Sequence, residues 1–503
     1  MKILLVQPSP FEPGRLGLEN VVWMSEPVAL TSLAAMLPEH DVRILDMRLE
    51  TDLVYNEVLC EFEPDFVGTT SMTTDCYQAK ALLNVARSTL GEDVFTIVGG
   101  HHPTLAPEDF EDSSVVDALC IGEGEYTILE LVNHLVAGGS KHDLQHIAGL
   151  RYVNNDGEYV ATAKRSQETI LDEFPAPSRH LLKPEYKKEY FFQIANPMAS
   201  MSTSRGCSFD CNFCAIWEFY DRRTRYMSAK VIVDRMEQIE EKFIFFLDDN
   251  FLTDQKRLTE LCEEIETRGV KKYFATQGRS DFIADNPDVM RRLRDCGLMM
   301  VLSGYETNDD SALDYLRKKN TMDKNRRAAE VMRELGMLST GIFMVRQDFS
   351  EEDFDRLYDA INDMGVAVPL ITILTPLPGT ELWRKRKEEL LTTDTRLYDL
   401  LHSVLPTKLP REVFYRKLTE YNKATWKSFK KGIWASVRRR PKFFFEALPG
   451  LLKFIKKANH YRPILENPES HMRDELGIIP ANVTIAKSPK KTPRKLPLVK
   501  EVV

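Results

Sequence analysis

Along the first 140 residues, short runs of β-branched and apolar residues alternate with stretches whose apolar positions recur every three or four residues. This is the pattern of a parallel sheet with helices on both faces. Runs at Lys2–Gln7, Val42–Asp46, Phe66–Thr70, Val94–Val98 and Ala118–Ile121 predict five strands, and Pro27–Leu37, Asp52–Phe62, Asp75–Leu90 and Tyr126–Val136 predict helices between them. Such a doubly wound sheet takes ligands at the carboxyl ends of its strands. The unusual residues fall there: Gln7-Pro8-Ser9-Pro10, Thr69-Thr70-Ser71, Gly99-Gly100-His101-His102-Pro103-Thr104 and Gly122-Glu123-Gly124-Glu125.

Turn-rich sequence then marks a connector, with a hairpin signal at Asn154-Asn155-Asp156-Gly157 and the proline-rich Phe174-Pro175-Ala176-Pro177. A second α/β series follows, with strands expected at Met198–Ser204, Phe243–Leu247, Tyr273–Thr276, Met299–Ser303, Thr340–Val345 and Leu370–Leu374 and helices such as Ala229–Glu241 and Thr253–Thr267. Six successive β/α units predict a partial (β/α)6 barrel. The expected division is 1–149 for the first domain, 150–197 for the connector, 198–385 for the barrel, 386–486 for a helical domain and 487–503 for a disordered, Lys- and Pro-rich tail.

Composition narrows the class. The 503 residues are 43% hydrophobic and 28% charged, as in ordinary globular protein. The longest uncharged run, Met364–Thr380, carries Pro369, Pro376 and Pro378, which suits a strand and loop better than a membrane span. The opening MKILLVQPSP has one short apolar run and immediate turn chemistry, so no export signal is expected and the chain should be cytoplasmic. Eight cysteines are too sparse for a disulfide framework, so a cysteine cluster points to metal or redox chemistry.

One such cluster exists: Cys207, Cys211 and Cys214, spaced C-x3-C-x2-C on the loop after the first barrel strand. Thiolates at that spacing can converge on an iron–sulfur cluster, and three ligands on a four-iron cube leave one iron open. A zinc site would want a fourth Cys or His nearby, and none occurs between Ala215 and Gln255. The motif, with Phe213 in its aromatic place, resembles that of the radical S-adenosylmethionine (SAM) superfamily. That resemblance implies a [4Fe-4S] cluster on the three cysteines. It also implies SAM contacts at Phe213, at Asp248, Asp249 and Asn250 after the second barrel strand, and at Glu306 in Gly304-Tyr305-Glu306. Thr375-Pro376-Leu377-Pro378-Gly379-Thr380 is similar to the turn closing the sixth strand. Val345-Arg346-Gln347-Asp348 departs from the superfamily pattern, and no adenine contact is assigned there.

The first domain resembles the cobalamin-binding domain of a large subclass of these enzymes. The resemblance implies cobalamin contacts at Thr70, Ser71, Gly99, Gly100, His101, Gly122 and Glu123. Free-standing corrinoid proteins carry D-x-H-x-x-G after the first strand; here the first histidine is His40, so no axial ligand can come from that loop. The cofactors together imply methylation of a carbon too inert for an ordinary SAM methylase, by a 5′-deoxyadenosyl radical and methylcobalamin. Flavodoxin or ferredoxin would donate the electrons.

Charge divides the chain. Between Arg411 and His460, 14 Lys or Arg stand against three Glu, so this segment is +11 and the remainder −20. Phe414, Leu418, Tyr421, Trp426, Phe429, Ile433 and Val437 recur at mostly helical spacing, with Lys423, Lys427, Lys430 and Lys431 between them. A basic helix with such an apolar side suits an anionic membrane surface, and a helical cap on the barrel is the alternative. Nucleic acid fits less well, since the bases are interleaved with apolar rather than polar residues. Over its whole length the chain resembles the bacterial hopanoid methylases, on Lys2–Pro10, Asn20–Leu37, the Gly99–Pro107 loop and the basic-aromatic end. This implies a hydrophobic polycyclic, hopanoid-like substrate, methylated at C-3 of ring A, and attachment to the inner face of the membrane. Two readings stay open: a related enzyme acting on a tetrapyrrole, an antibiotic or another lipid, as methylase or oxidative cyclase, and a non-catalytic corrinoid or iron–sulfur sensor.

Overall fold

The computed structural model describes residues 1–10, 22–167, 170–421, 438–465 and 467–468. Two α/β units follow one another. In the first, β1 (Lys2–Gln7), β2 (Asp41–Asp46), β3 (Phe66–Thr70), β4 (Phe95–Gly99) and β5 (Ala118–Cys120) pair in parallel in the order β2-β1-β3-β4-β5. Alternation along β1 separates two cores. Ile3 and Leu5 face α1 (Val28–Ala35) and α4 (Glu125–Val136), while Leu4 and Val6 face α2 (Asp52–Phe62) and α3 (Cys76–Leu90). The strand order reverses between β1 and β3, the position at which such sheets open a ligand crevice.

The sheet has seven strands rather than the expected five. β6 (Leu150–Val153) and β7 (Tyr159–Ala161), the hairpin that opens the expected connector, add to β5 in antiparallel fashion. The side chain of Asn154 accepts the Asp156 and Glu158 backbone N–H groups at 2.9 Å and fixes the turn. The hairpin thereby covers an edge that the three-residue β5 would otherwise leave unpaired.

In the second unit, β8 (Met198–Met201), β9 (Phe243–Phe246), β10 (Tyr273–Gln277), β11 (Leu298–Glu306), β12 (Leu338–Val345) and β13 (Val368–Ile373) pair in parallel in chain order. The edge strands β8 and β13 do not pair with each other, so the barrel is partial. Helices α5 (Ala229–Gln238), α6 (Gln255–Arg268), α7 (Pro287–Asp295), α8 (Met322–Glu334) and α9 (Glu351–Met364) lie outside it. Their starts are set locally: Ser228, Asp254, Thr321 and Ser350 each accept a backbone N–H three residues on.

The region after the barrel is less helical than expected. Between Glu389 and Pro410 the one helical segment is the turn Thr395–Leu397, because Asp394 and Asp399 bond backbone N–H groups two or three residues on and compete with the helix. A helix resumes at 411, and its Phe414 and Tyr421 pack on Phe354 and Tyr358 of α9. Trp426, Phe429, Ile433, Val437 and Lys423, Lys427, Lys430 and Lys431 lie outside the described residues, as does the tail from 487.

The last helix, α10 (Pro441–Leu465), closes the amino-terminal mouth of the barrel. Phe443, Phe444, Ala447, Phe454 and Ala458 pack among Met198, Phe243, Tyr273, Met299, Leu338 and Val368, at or near the strand starts. At Gly450 a Cβ would come within 2.1 Å of the Ile194 carbonyl oxygen, so glycine is required there. Its opposite face leaves Phe445, Leu448, Leu452 and Ile455 exposed. Among the described residues no helix is long and apolar enough to cross a membrane.

Candidate active site

The carboxyl ends of both sheets face a common cavity of about 530 Å³. From the first unit it is lined by Gln7, Thr69, Thr70, Gly99, Gly100, His101, Gly122 and Glu123; the barrel contributes Ser204, Arg205, Phe219, Tyr220 and Asp249.

The loops of the first unit are held backbone to backbone. Gly100 has φ 107°, and a Cβ there would meet the Ser71 carbonyl oxygen at 2.7 Å and Thr70 Oγ1 at 2.8 Å. The Thr104 hydroxyl donates to the Gly100 carbonyl at 2.8 Å and accepts from the Gly122 N–H at 2.9 Å, tying the β4 loop to the β5 loop. Thr70, Gly99, Gly100, His101 and Gly122 thus come together as expected from their strand-end positions. Ser71 is fully buried and donates to Met72 O and Asp75 Oδ1, so its hydroxyl braces the loop from behind. Glu123 points across to the barrel, where it pairs with Arg205 and Arg225. Beside it Glu125 also pairs with Arg205. Burial alone would raise the Glu125 carboxyl; the charge and hydrogen bond of Arg205, with a backbone hydrogen bond and Arg225, more than offset this and leave it below the ordinary value. This clamp joins the two units one residue before Gly206. His101 lies against Phe219, ring centres 4.6 Å apart, with Nε2 unpartnered; burial lowers its pKa to about 4, so it is neutral. His102 turns to the core, where it meets Asp109 at 3.1 Å.

Cys207, Cys211 and Cys214 are free thiols, and burial raises all three, Cys214 to about 12. Their loop is braced at several points. Gly206 N–H donates to Asp249 at 2.9 Å, Trp217 Nε1 to the Cys211 carbonyl at 2.8 Å, and Asn212 Nδ2 to the Tyr315 carbonyl at 2.7 Å, while the Arg279 guanidinium lies 3.6 Å from the Phe209 ring centre. Phe213 packs against Leu316, Met344, Leu374 and Leu382, anchoring the loop to the strand ends.

The sequence groups Asp248, Asp249 and Asn250; the structure separates them. Asp248 is fully buried, accepts from Thr203 N–H at 2.6 Å, the Thr203 hydroxyl at 2.5 Å and the Ser204 hydroxyl at 2.7 Å, and faces Arg257 at 3.6 Å. Both its oxygens are spent within the protein. Asp249 lines the cavity, and burial raises its pKa to about 6. The buried Asn250 has neither Oδ1 nor Nδ2 partnered. Glu306 is buried at φ 68°, a strained conformation for a non-glycine residue, and pairs with buried Lys318. After β12, Gln347 Nε2 bonds the Leu374 carbonyl at 2.8 Å, so that departure from the superfamily pattern ties β12 to β13. Sequence reasoning missed Arg205, Arg279 and Lys318. Arg205 could have been found by its place beside Gly206-Cys207; the other two have no spacing to betray them.

These residues fit the groups the motifs imply. Three unpaired thiols share one braced loop, and orphaned buried polar atoms remain on Asn250, Ser303 and Thr69. The glycine loop at Gly99-Gly100 leaves backbone, not side chain, against the cavity. Among the described residues no three His, Cys, Asp or Glu side chains converge on a single-ion site.

A doubly wound unit and a partial barrel, with a three-cysteine loop beside their shared cavity, define a cobalamin-type radical SAM architecture. Residues 14–132 match the B12 binding domain family and residues 201–361 the radical SAM superfamily. The chain is similar to the hopanoid C-3 methylase of Methylococcus capsulatus, with 30% identity over 97% of this chain and 92% of that protein. It is also similar to the anaerobic magnesium-protoporphyrin IX monomethyl ester cyclase of Rubrivivax gelatinosus, 26% identical over 79% of this chain and 72% of the other. Its fold matches that of the cobalamin-dependent SAM radical enzyme OxsB, solved with aqua-cobalamin and SAM, at TM-score 0.65 and 16% identity, covering 95% of this chain and 76% of that one. The chain belongs to the cobalamin-dependent radical SAM methyltransferases. Its cofactors are cobalamin, SAM and a [4Fe-4S] cluster.

Proposed function

We propose that this enzyme methylates an unactivated carbon of a hydrophobic polycyclic lipid, a hopanoid, at C-3 of ring A. The observation that carries the reading is the placement of the cavity, at the carboxyl ends of both sheets, with Thr70, Gly99, Gly100, His101 and Gly122 on one side and Asp249 on the other. The hopanoid follows from end-to-end likeness to a hopanoid C-3 methylase.

In this reading Cys207, Cys211 and Cys214 hold the cluster and leave one iron for SAM. Asp249, Asn250 and Glu306 receive SAM: Asn250 offers an unused donor and acceptor, and Asp249 a carboxylate. Asp248 and Phe213 hold the strand ends and the loop in place. Thr70, Gly99, Gly100, His101 and Gly122 face cobalamin, with Ser71 bracing them from behind and Glu123 tying them across the cavity to Arg205 and Arg225. Bound together, these groups supply a radical able to take hydrogen from a saturated carbon and a methyl group to replace it. The Arg205 clamp on Glu123 and Glu125 fixes the two loop sets relative to each other, which is the positioning such a reaction needs. Phe219 and Tyr220 line the wall and keep water from the centre.

The exposed stripe of α10, flanked by Lys442 and Lys456, supports peripheral attachment to an anionic membrane, its inner face, where the substrate resides. Lipid extracts from cells with and without the gene test the substrate: methylated hopanoids should vanish without it, and an unchanged profile would refute the hopanoid assignment.

A further inference from the structure

Electron tunnelling weakens steeply with distance, so a reductant must approach the surface nearest the three-cysteine loop. That surface is unusual in charge, in layering and in backbone.

Asp210, within the loop, meets Lys319 at 2.7 Å and Arg222 at 3.7 Å. Arg222 also lies over the Trp217 ring at 4.7 Å, and Trp217 donates its indole N–H to the Cys211 carbonyl. Around this centre Arg384 pairs with Glu218, and Arg317 and Lys385 pair with Glu381. Three acids sit beneath: the side chains of Asp210, Glu218 and Glu381 are 16–24% exposed, while those of Arg222, Lys319, Arg384 and Lys385 are 48–66% exposed; Asp221, at 49%, is the exception and pairs with Lys164. The carboxylates therefore hold the cations in place and leave the positive ends outermost, on a chain whose formal charge is −9.

The backbone supplies an independent observation. Eight non-glycine residues have positive φ among those described, and four belong to this surface: Asp221 at 50°, Arg222 at 59°, Arg317 at 53° and Lys319 at 51°. Left-handed backbone at a charged, non-glycine residue is costly and persists where the surrounding structure enforces it, which is typical of binding surfaces. Two of the four, Arg222 and Lys319, are cations of the exposed layer.

We propose that this collar, built by Arg222, Lys319, Arg384 and Lys385 around Asp210 and Trp217, is the docking face for an acidic protein that carries single electrons. The step moves one electron: the carrier is oxidised by one equivalent, the protein's metal centre is reduced by one, and no bond is made or broken. The inference rests on the assignment of a cluster to Cys207, Cys211 and Cys214. Direction also favours it, because α10 packs on the opposite, amino-terminal mouth of the barrel, away from the collar.

The test uses the reconstituted full chain and a purified acidic flavodoxin in its fully reduced form. Calorimetry gives the affinity and stopped-flow absorbance the rate of cluster reduction, each over a range of salt. Lys319→Glu combined with Arg384→Glu should lower both by about ten-fold or more at low salt and flatten the salt dependence. The milder Lys319→Gln with Arg384→Gln should give a smaller loss in the same direction, which guards against local misfolding in the charge reversal. A charge reversal on an exposed cation of α7 outside the collar, Arg291→Glu, should change neither. Dithionite should reduce the cluster equally fast in all forms. Unaltered flavodoxin affinity and rate in both collar variants, with dithionite reduction intact, would overturn the docking face alone. A wild-type protein that takes no electron from dithionite would remove the cluster assignment, and the docking face with it.

Discussion

The two ends of the barrel are made by the same six strands and have opposite chemistry. At the amino-terminal end Phe243, Tyr273, Met299, Leu338 and Val368 meet Phe443 and Phe444 of α10 in an apolar plug. At the carboxyl end lie buried Asp248, Arg257, Glu306 and Lys318, half-buried Asp249, unpartnered Asn250, and the left-handed Glu306. The first end is apolar packing that stabilises the fold. The second buries charge and strain, arrangements that destabilise a fold and persist where they serve a ligand.

Asp248→Asn at the carboxyl end is expected to have the largest effect. It keeps the shape but strips the counter-charge from Arg257, whose pKa burial already lowers. Stability to urea should fall by about 3–5 kcal/mol. Phe443→Ala at the other end should cost about 3 kcal/mol by opening a cavity, yet leave the iron and cobalt content of reconstituted protein unchanged; lost metal would mean that the ends are not separable. Outside the plug, Phe445→Ser with Leu452→Ser should leave stability intact and reduce binding to anionic phosphatidylglycerol liposomes by roughly ten-fold or more, because these side chains are 79% and 61% exposed. Binding unchanged in a sedimentation assay would make α10 a cap alone.

The smallest effect is a pH dependence at Lys457. Burial depresses its pKa to about 8 despite the Phe191 ring 3.8 Å away. The folded state therefore binds fewer protons than the unfolded state above pH 8, and stability should rise from there towards the ordinary lysine pKa. The slope is at most one proton, and Lys457→Met should abolish it in urea titrations at pH 7 to 10.

This contrast also explains what could be read from the sequence. Strand positions were legible because a parallel sheet buried on both faces demands unbroken apolar runs, as in Phe243–Phe246. The cysteine loop was legible because its ligands are close in sequence. The opposite roles of Asp248 and Asp249 were not, since successive residues at a strand end point different ways and their partners, Thr203 and Gly206, lie some forty positions upstream. Nor was the pairing of Lys318 with Glu306, or the joining of β6 to β5, because such contacts follow from topology. The helical domain expected over 386–486 is interrupted where Asp394 and Asp399 capture backbone N–H groups.

The central claim is that the braced loop at Cys207, Cys211 and Cys214 carries a cluster beside bound cobalamin. It is tested most directly by metal analysis and SAM cleavage on anaerobically reconstituted protein. The wild-type chain should hold one four-iron cluster and one cobalamin and cleave SAM reductively, whereas Cys211→Ala should lose cluster and cleavage while retaining cobalamin. Cleavage that persists in Cys211→Ala, or wild-type protein free of iron and cobalt, would contradict the account.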